Sequence, residues 1–465
     1  MKITTLPLLM LILLSAAASA SELRISAENQ SAISLTIYNA GRALIRDQRQ
    51  IRATEASRRI ALMDVAEKIM PQTVSIDGLA VLEQNYDYDL LSPQALVEKN
   101  IGKRVRIARR STETGETIEW SNARILSNNG GIVLAMEDGS LEFLAEQHFY
   151  HLVFDEIPDN LRTTPTLTLL LREPLQGDRQ VDITYLSEGL SWSSDYILQL
   201  DEQGKQASLD SWITLDNQSG IEYRDAHLQL LAGEVNIERP QMRRMLERTM
   251  AMQASVQADV SEQALHGYHL YTVPFKTTLL NRQSKQIKLF RRDGIAIHKS
   301  LLDSAYVDLH ANQPQKSSPQ MKLRIENSEP SLGLPLPQGT VRVYARDESG
   351  NNQFIGEDGI GHTAVNDEVE ITLGKSFDVS VERKTTHFIQ RSQKQQLVTR
   401  EIVVNNGSKQ AQLVQVSEIM PSRDWSIRSS SLAHEQVGPT EARFAMQVPA
   451  LQKLTLTYEA LLTYP

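Results

Sequence analysis

The sequence predicts an all-β fold: tandem β-sandwich domains with a small SH3-like barrel and one short helical insertion. Three observations carry that expectation. Apolar and polar residues alternate with period two through many short runs, Gly- and Asn-containing turns separate the runs, and only two stretches offer sustained helix-forming sequence.

The first twenty residues set the compartment. Lys2 supplies a positive start, residues 6–14 form an apolar core broken only by Pro7, and Ala18-Ser19-Ala20 gives a small-residue cleavage pattern. The apolar run falls short of the roughly 20 residues that span a bilayer, so a signal peptide over 1–20 and a periplasmic or secreted mature chain are expected, with no transmembrane segment after cleavage. Its removal takes away one cation, Lys2, and no acid, which moves the formal charge from -9 to -10. Such a balance argues against a nucleic-acid partner held by charge. With no cysteine in the chain, lipid attachment at the cleavage point, disulfides, Cys-ligated zinc and thiol catalysis all fall away, and stability must come from large cores.

Residues 33–38 alternate, Asn39-Ala-Gly41 turns, and residues 43–45 resume, which makes a hairpin. Residues 93–99 form a Pro-led helical segment; residues 101–107, 116–126, 132–136 and 141–144 read as short strands with turns at Asn129-Gly-Gly131 and Asp138-Gly139. So many strands in so short a span suit a small barrel, with a continuous meander as the alternative. The stretch 240–264 has good helix formers and no internal Pro or Gly, hence the expected helical insertion. A loose echo recurs as Trp212-Ile-Thr-Leu-Asp-Asn217-Gln-Ser219, Leu323-Arg-Ile-Glu-Asn327-Ser and Glu401-Ile-Val-Val-Asn-Asn406-Gly-Ser408. Each runs a strand into an Asn-containing turn, where Asn tolerates positive φ. The expected domains are 21–97 (N-terminal β), 98–155 (barrel), 156–377 (central sandwich with the insertion) and 378–465 (immunoglobulin-like sandwich).

The stretch Leu186-Ser-Glu-Gly-Leu-Ser-Trp192-Ser-Ser-Asp-Tyr196, the Trp212 to Ser219 run and Leu228-Gln-Leu-Leu-Ala-Gly233-Glu-Val together resemble a bacterial family, domain of unknown function four-one-three-nine. Tyr268-His-Leu-Tyr271 with Lys285-Gln-Ile, Leu334-Pro-Leu-Pro-Gln-Gly339-Thr-Val-Arg-Val-Tyr344 and Gly374-Lys-Ser-Phe377-Asp-Val-Ser-Val-Glu-Arg383 extend the resemblance over most of the mature chain. What it implies is a secreted or periplasmic bacterial β-protein with some mucoidy inhibitor-like relatives. It assigns no catalytic residues.

His266-Gly-Tyr-His269 offers two imidazoles, but residues three apart on a strand face opposite ways, so a hairpin entry is the better reading. Asp87 and Asp89 share a strand face without a third ligand nearby and read as solvated edge acids. Asp347 to Asn352, with Asp358 further on, lacks the Gly and closing Glu of a calcium loop and reads as a hairpin tip. Ser191 and Ser193 do not make a nucleophile elbow. Met242, Met245, Met250 and Met252, among arginines, are the candidate partner-binding residues, since thioethers repack around different surfaces.

The expected function is therefore a non-catalytic exported envelope protein without cofactor, binding an envelope protein or a surface polysaccharide; a hydrolase acting on envelope material is the alternative. Trp120, Trp192, Trp212 and Trp425 could stack on sugars if exposed, but most of them belong to cores on this reading. Filled sandwich interiors and a solvent-facing aromatic strip would favour binding over hydrolysis.

Overall fold

The computed structural model describes residues 22–110, 116–144, 150–158, 161–233, 261–265 and 267–465. Two-thirds of the chain, 66%, is strand and 3% helix, which makes it an all-β, multi-sheet protein. The residues expected to form a signal peptide lie outside the described part.

Two unusually long strands organise the N-terminal half. Arg42–Met63 and Thr166–Glu188 run antiparallel from Arg42↔Glu188 to Met63↔Thr166, with bulges between Leu170 and Gly177. On the inward face of the first strand, Ala43, Ile45, Ile51 and Ala53 are buried, as period two demands. Asp47 and Arg49 occupy the same inward row, and Arg49 Nε and Nη2 both donate to Asp47 Oδ2, at 2.9 and 2.7 Å. Gln30–Tyr38 pairs on the other side of Arg42–Met63 and lies parallel to Tyr223–Ala232. These four strands belong to a ten-stranded sheet.

A five-stranded sheet packs on it. Its order is Gln283–Ala296, Gln206–Asn217, Leu190–Leu200, Gly339–Arg346 and Asn352–Ile360. One apolar core joins Ile33, Leu35 and Ile37 of the first sheet to Trp192, Tyr196 and Val341 of the second. The stretch read as a separate N-terminal domain thus contributes half of a core whose other half lies more than a hundred residues later. Alternation fixes which face of a strand is buried but not which strand it meets, and parallel neighbours such as Ser194↔Gly339 are joined only by long connections.

The six-stranded sheet straddles two cores. Leu323, Ile325, Val369 and Ile371 face the first core, whereas Val414, Val416 and Phe444 face the second. His298–Tyr306 joins them, antiparallel to Gln320–Glu326 and parallel to Gln412–Ile419. The C-terminal sandwich closes with a sheet of Gln315–Ser317, Val379–Gln390, Gln395–Asn406, Lys453–Thr463 and Asp424–Ser430. Leu301 and Val307 belong to this second core, so its sequence reaches back well before residue 378.

The small domain is a half-barrel. Its five strands run Tyr150–Val153, Arg104–Arg110, Thr117–Ser127, Ile132–Met136 and Leu141–Leu144 in sheet order, open at both ends among the described residues. Val105, Ile107, Ala123, Ile125, Ile132 and Leu134 fill its inner face with Val97 from the helix Pro93–Lys99. That helix starts where Ser92 Oγ accepts from Ala95 N and Pro93 takes the first turn, both ordinary start signals. Of the expected helical insertion near 240–264, residues 234–260 lie outside the described part. The described end is a strand, Ser261–Leu265, paired with Tyr268–Thr272.

The recurring asparagines have a different physical role from the one their turns suggest. Asn217, Asn327 and Asn406 are buried, and none has positive φ. Asn217 Nδ2 donates to the carbonyls of Ile221, Leu279 and Leu280; Asn406 Nδ2 donates to those of Gln410, Val448 and Pro449. Their Oδ1 atoms accept from Ser219 and Ser408. Asn327 likewise donates to the carbonyls of Leu334 and Ala364. The echo is a buried amide that satisfies carbonyls where two connections meet, a place where unpaired groups are costly.

Candidate functional site

Most sequence-singled residues find structural employment. Asp87 Oδ2 accepts from Arg162 Nε at 3.1 Å, and Asp89 pairs with Lys99 Nζ at 2.7 Å, so the two acids hold the stem of the half-barrel insertion. Asp347 Oδ1 accepts from the backbone N of Ser349 and Asn351, which makes the hairpin tip explicit, while Asp358, away from the tip and opposite Val341, accepts from the backbone N of Thr372 in the six-stranded sheet. His269 lies in the hairpin Ser261–Leu265 and Tyr268–Thr272 with a turn at Gly267; His266 lies outside the described residues. Ser191 sits in a strand opposite Asp216 with no helix following. Met242, Met245, Met250 and Met252 also lie outside the described residues.

The tryptophans divide by domain. Trp192 is core and meets Tyr271 edge-on at 6.4 Å between ring centroids. Trp212 is half-buried beneath Lys288 Nζ, and Trp425 donates its indole N–H to the Pro439 carbonyl. Trp120, on the outer face of the half-barrel, is 58% exposed, with the Arg106 guanidinium 5.9 Å from its ring centre.

Three sites merit chemical reading. The first is a cavity of about 650 Å³ beside Gln30–Tyr38, lined by Glu28, Asp47, Asp64, Tyr185, Glu222 and Asp225 among others. Asp47 is already bound by Arg49 and by Gln30 Nε2, and Asp64 Oδ2 accepts from the backbone N of Ala27. Burial drives the Tyr185 phenol well above its ordinary pKa, keeping it neutral. These carboxylates are fold-holding acceptors rather than a poised acid and base.

The second is a buried charge network inside the C-terminal sandwich. Glu418, fully buried, accepts from Arg383 Nε at 2.7 Å, from Arg400 Nε at 3.4 Å and from the Tyr458 hydroxyl at 2.7 Å. Arg383 also pairs with Asp303, and Arg400 Nη1 donates to Thr385 Oγ1 and the Asp308 carbonyl. Burial alone would lower the Arg383 pKa, and Glu418 and Asp303 more than reverse that, leaving it above the usual value. Burial, then the Glu418 charge, pushes the Tyr458 phenol well up. Two cations face two anions, with all three nitrogens of Arg383 and both oxygens of Glu418 engaged, the condition under which buried charge is tolerated. Among the described residues no group of three or more His, Asp or Glu side chains gathers to hold a metal.

The third is the outer face of the half-barrel. Val133 pairs with Phe143 and, on its other side, with Ser127, Leu126 standing exposed at the bulge beside that pair; in the next row Ala135 lies between Leu141 and Arg124. Leu141 is 69% and Phe143 57% exposed, and they lie on the terminal strand Leu141–Leu144 of an open sheet. The Phe143 ring rests over Gly131, where any Cβ would collide with it, so one ring face is braced and the other faces solvent. Arg109 pairs with Glu142 from the inner side of the same strand. Sequence reading found the strands here but not the apolar outward row, because Leu126, Leu141 and Phe143 also fit a meander packed against a neighbour. No family model and no curated protein matches the chain.

Proposed function

We propose that this chain is a non-catalytic, exported envelope protein that binds another protein through the outer face of its half-barrel. One observation carries the reading: the exposed apolar side chains Leu141 and Phe143 on the open strand Leu141–Leu144, backed by their cross-strand neighbours Ala135 and Val133, with exposed Leu126 at the bulge beyond. An exposed edge offers unpaired backbone groups to an incoming strand, and the apolar row offers side-chain contact beside it. The sandwich interiors are filled by buried side chains, which leaves binding to surfaces.

A protein fits this face better than a polysaccharide. Sugar stacking needs a free aromatic face ringed by hydrogen-bonding groups, and the Arg106 guanidinium already lies over Trp120. The expected signal peptide and the resemblance to the family of unknown function support the envelope assignment. The test is crosslinked affinity purification of the tagged full chain from its native envelope, comparing wild type with a Leu141→Ser/Phe143→Ser double variant. One dominant partner, recovered intact and lost in the variant, supports the proposal. A partner retained by the variant overturns the assigned surface, and an envelope polymer recovered in cleaved form overturns the non-catalytic reading.

A further inference from the structure

A second surface lies far along the chain, at one end of the C-terminal sandwich. Phe377 is 100% exposed and Leu451 is 71% exposed, the two most exposed large apolar side chains of their sandwich apart from Tyr306. They flank one turn: Gly407 N donates to the Asp378 carbonyl at 2.8 Å, and Leu451 N donates to the Ser408 carbonyl at 3.1 Å. The strands that follow them, Val379–Gln390 and Lys453–Thr463, lie on either side of Gln395–Asn406. Two strand spacings therefore separate the loops, about 10 Å.

Two independent features mark this end. Leu451 has φ +59°, a left-handed conformation that Gly or Asn adopts without strain and a leucine rarely does. Lys375 precedes Phe377 by two residues, Lys453 follows Leu451 by two and Lys409 follows Ser408 in the turn between them; all three are exposed and none forms an ion pair among the described residues, and the exposed acid beside Phe377 is Asp378. A chain of net charge -9 thus carries three cations against one acid, Asp378, in the segments that bear two protruding apolar tips.

We propose that this loop end docks on a phospholipid surface carrying anionic head groups, with Phe377 and Leu451 entering the interfacial region and the three lysines contacting the head groups. Apolar tips inside a basic rim match the two attractions that hold peripheral proteins on membranes. A protein partner would more naturally meet a continuous face than two separated tips, and the rim has the sign that an anionic bilayer attracts. The site is distinct from the half-barrel face, so each surface stands or falls alone.

The experiment is co-sedimentation of the full chain with large unilamellar vesicles of phosphatidylethanolamine and phosphatidylglycerol, against phosphatidylcholine alone, at low and high salt. Binding to the anionic vesicles should weaken with salt and fall roughly tenfold or more in Phe377→Ser/Leu451→Ser, from lost apolar burial. Lys375→Gln/Lys409→Gln/Lys453→Gln should lose the salt dependence. These positions are exposed, and unchanged thermal unfolding verifies the fold. Equal binding by the variants, or no binding to anionic vesicles, overturns the proposal. A wild-type dimer that the Phe377→Ser/Leu451→Ser variant dissolves, with no vesicle binding, overturns it in favour of a second copy of the chain.

Discussion

Replacing Glu418 by Gln removes one charge from the C-terminal core while keeping volume and shape. In the native arrangement Glu418 and Asp303 balance Arg383 and Arg400, and Glu418 receives three hydrogen bonds, two of them from guanidinium groups. The variant leaves one buried cation uncompensated and turns an amide NH2 or a weaker acceptor toward donors that have no other outlet. Breaking a buried pair from one side costs about 3–5 kcal/mol. For a unit of this size that corresponds to a fall in Tm of roughly 6–20 °C. Fluorotryptophan labelling gives the assay, because Trp425 packs on the second core and its resonance reports that core's unfolding separately. The double variant Glu418→Gln/Arg400→Met restores neutrality with Arg383 still on Asp303, and should recover about 1 kcal/mol or more relative to additive losses. A cost below about 1 kcal/mol for Glu418→Gln, or strict additivity in the double variant, would refute the claim that charge balance holds this core.

Further outcomes follow from the same structure. The Glu22 carboxyl is held below its ordinary pKa chiefly by the Arg162 hydrogen bond, and Glu441 by the Ser417 hydroxyl and then Arg443. Stability from such groups is present above the unfolded carboxylate value and is lost as pH falls through the folded one, so the urea midpoint should drop on acidification, less so in Arg162→Met. Burial, then Glu67, raises the Tyr86 phenol from 10.0 to about 12. Its contribution is present below pH 10.0 and disappears as pH rises through about 12, and tyrosinate absorbance should lose that late component in Tyr86→Phe. Gly339→Ala would drive a Cβ into the Ser194 carbonyl on the adjacent parallel strand, and thermal unfolding should show a loss of about 1–3 kcal/mol. Asn406→Ala should destabilise by about 1–3 kcal/mol in the same measurement, since it takes the amide donor away from the buried carbonyl of Val448 and the part-buried one of Pro449.

The all-β class was legible because alternation is written residue by residue: Ile33, Leu35 and Ile37 face one way in sequence and in space. Partner choice was not. Nothing local in residues 42–63 announces that they meet 166–188, and nothing in His298–Tyr306 announces that it links two cores. The asparagine echo was visible as a pattern, but its cause is side-chain amide bonding across loops distant in sequence, which no turn propensity encodes. Asp47 and Arg49 continue the period-two row of Ala43 and Ile45, but the hairpin expected from the sequence ended at residue 45 and the buried pair was not foreseen. Sequence reading pointed to Asp87 and Asp89 as solvated acids, whereas Arg162, seventy-five residues away from Asp87, claims one of them. Trp120 could be named as an aromatic but not separated from Trp192, because exposure depends on which face of the open half-barrel remains uncovered. Phe377 sits in the motif Gly374 to Arg383, whose strand explains Val379 and Val381, yet its own full exposure follows from a loop conformation that the alternation does not reach.

The central claim is that the half-barrel's outer face receives a protein partner, and site-specific photocrosslinking tests it most directly. A photoreactive residue placed at Leu141 in the exported chain should capture one protein species in the intact envelope, while the same residue at Ile389, which is 52% exposed on another domain, should not. Capture of the same species from both positions, or of none from Leu141, would contradict the account.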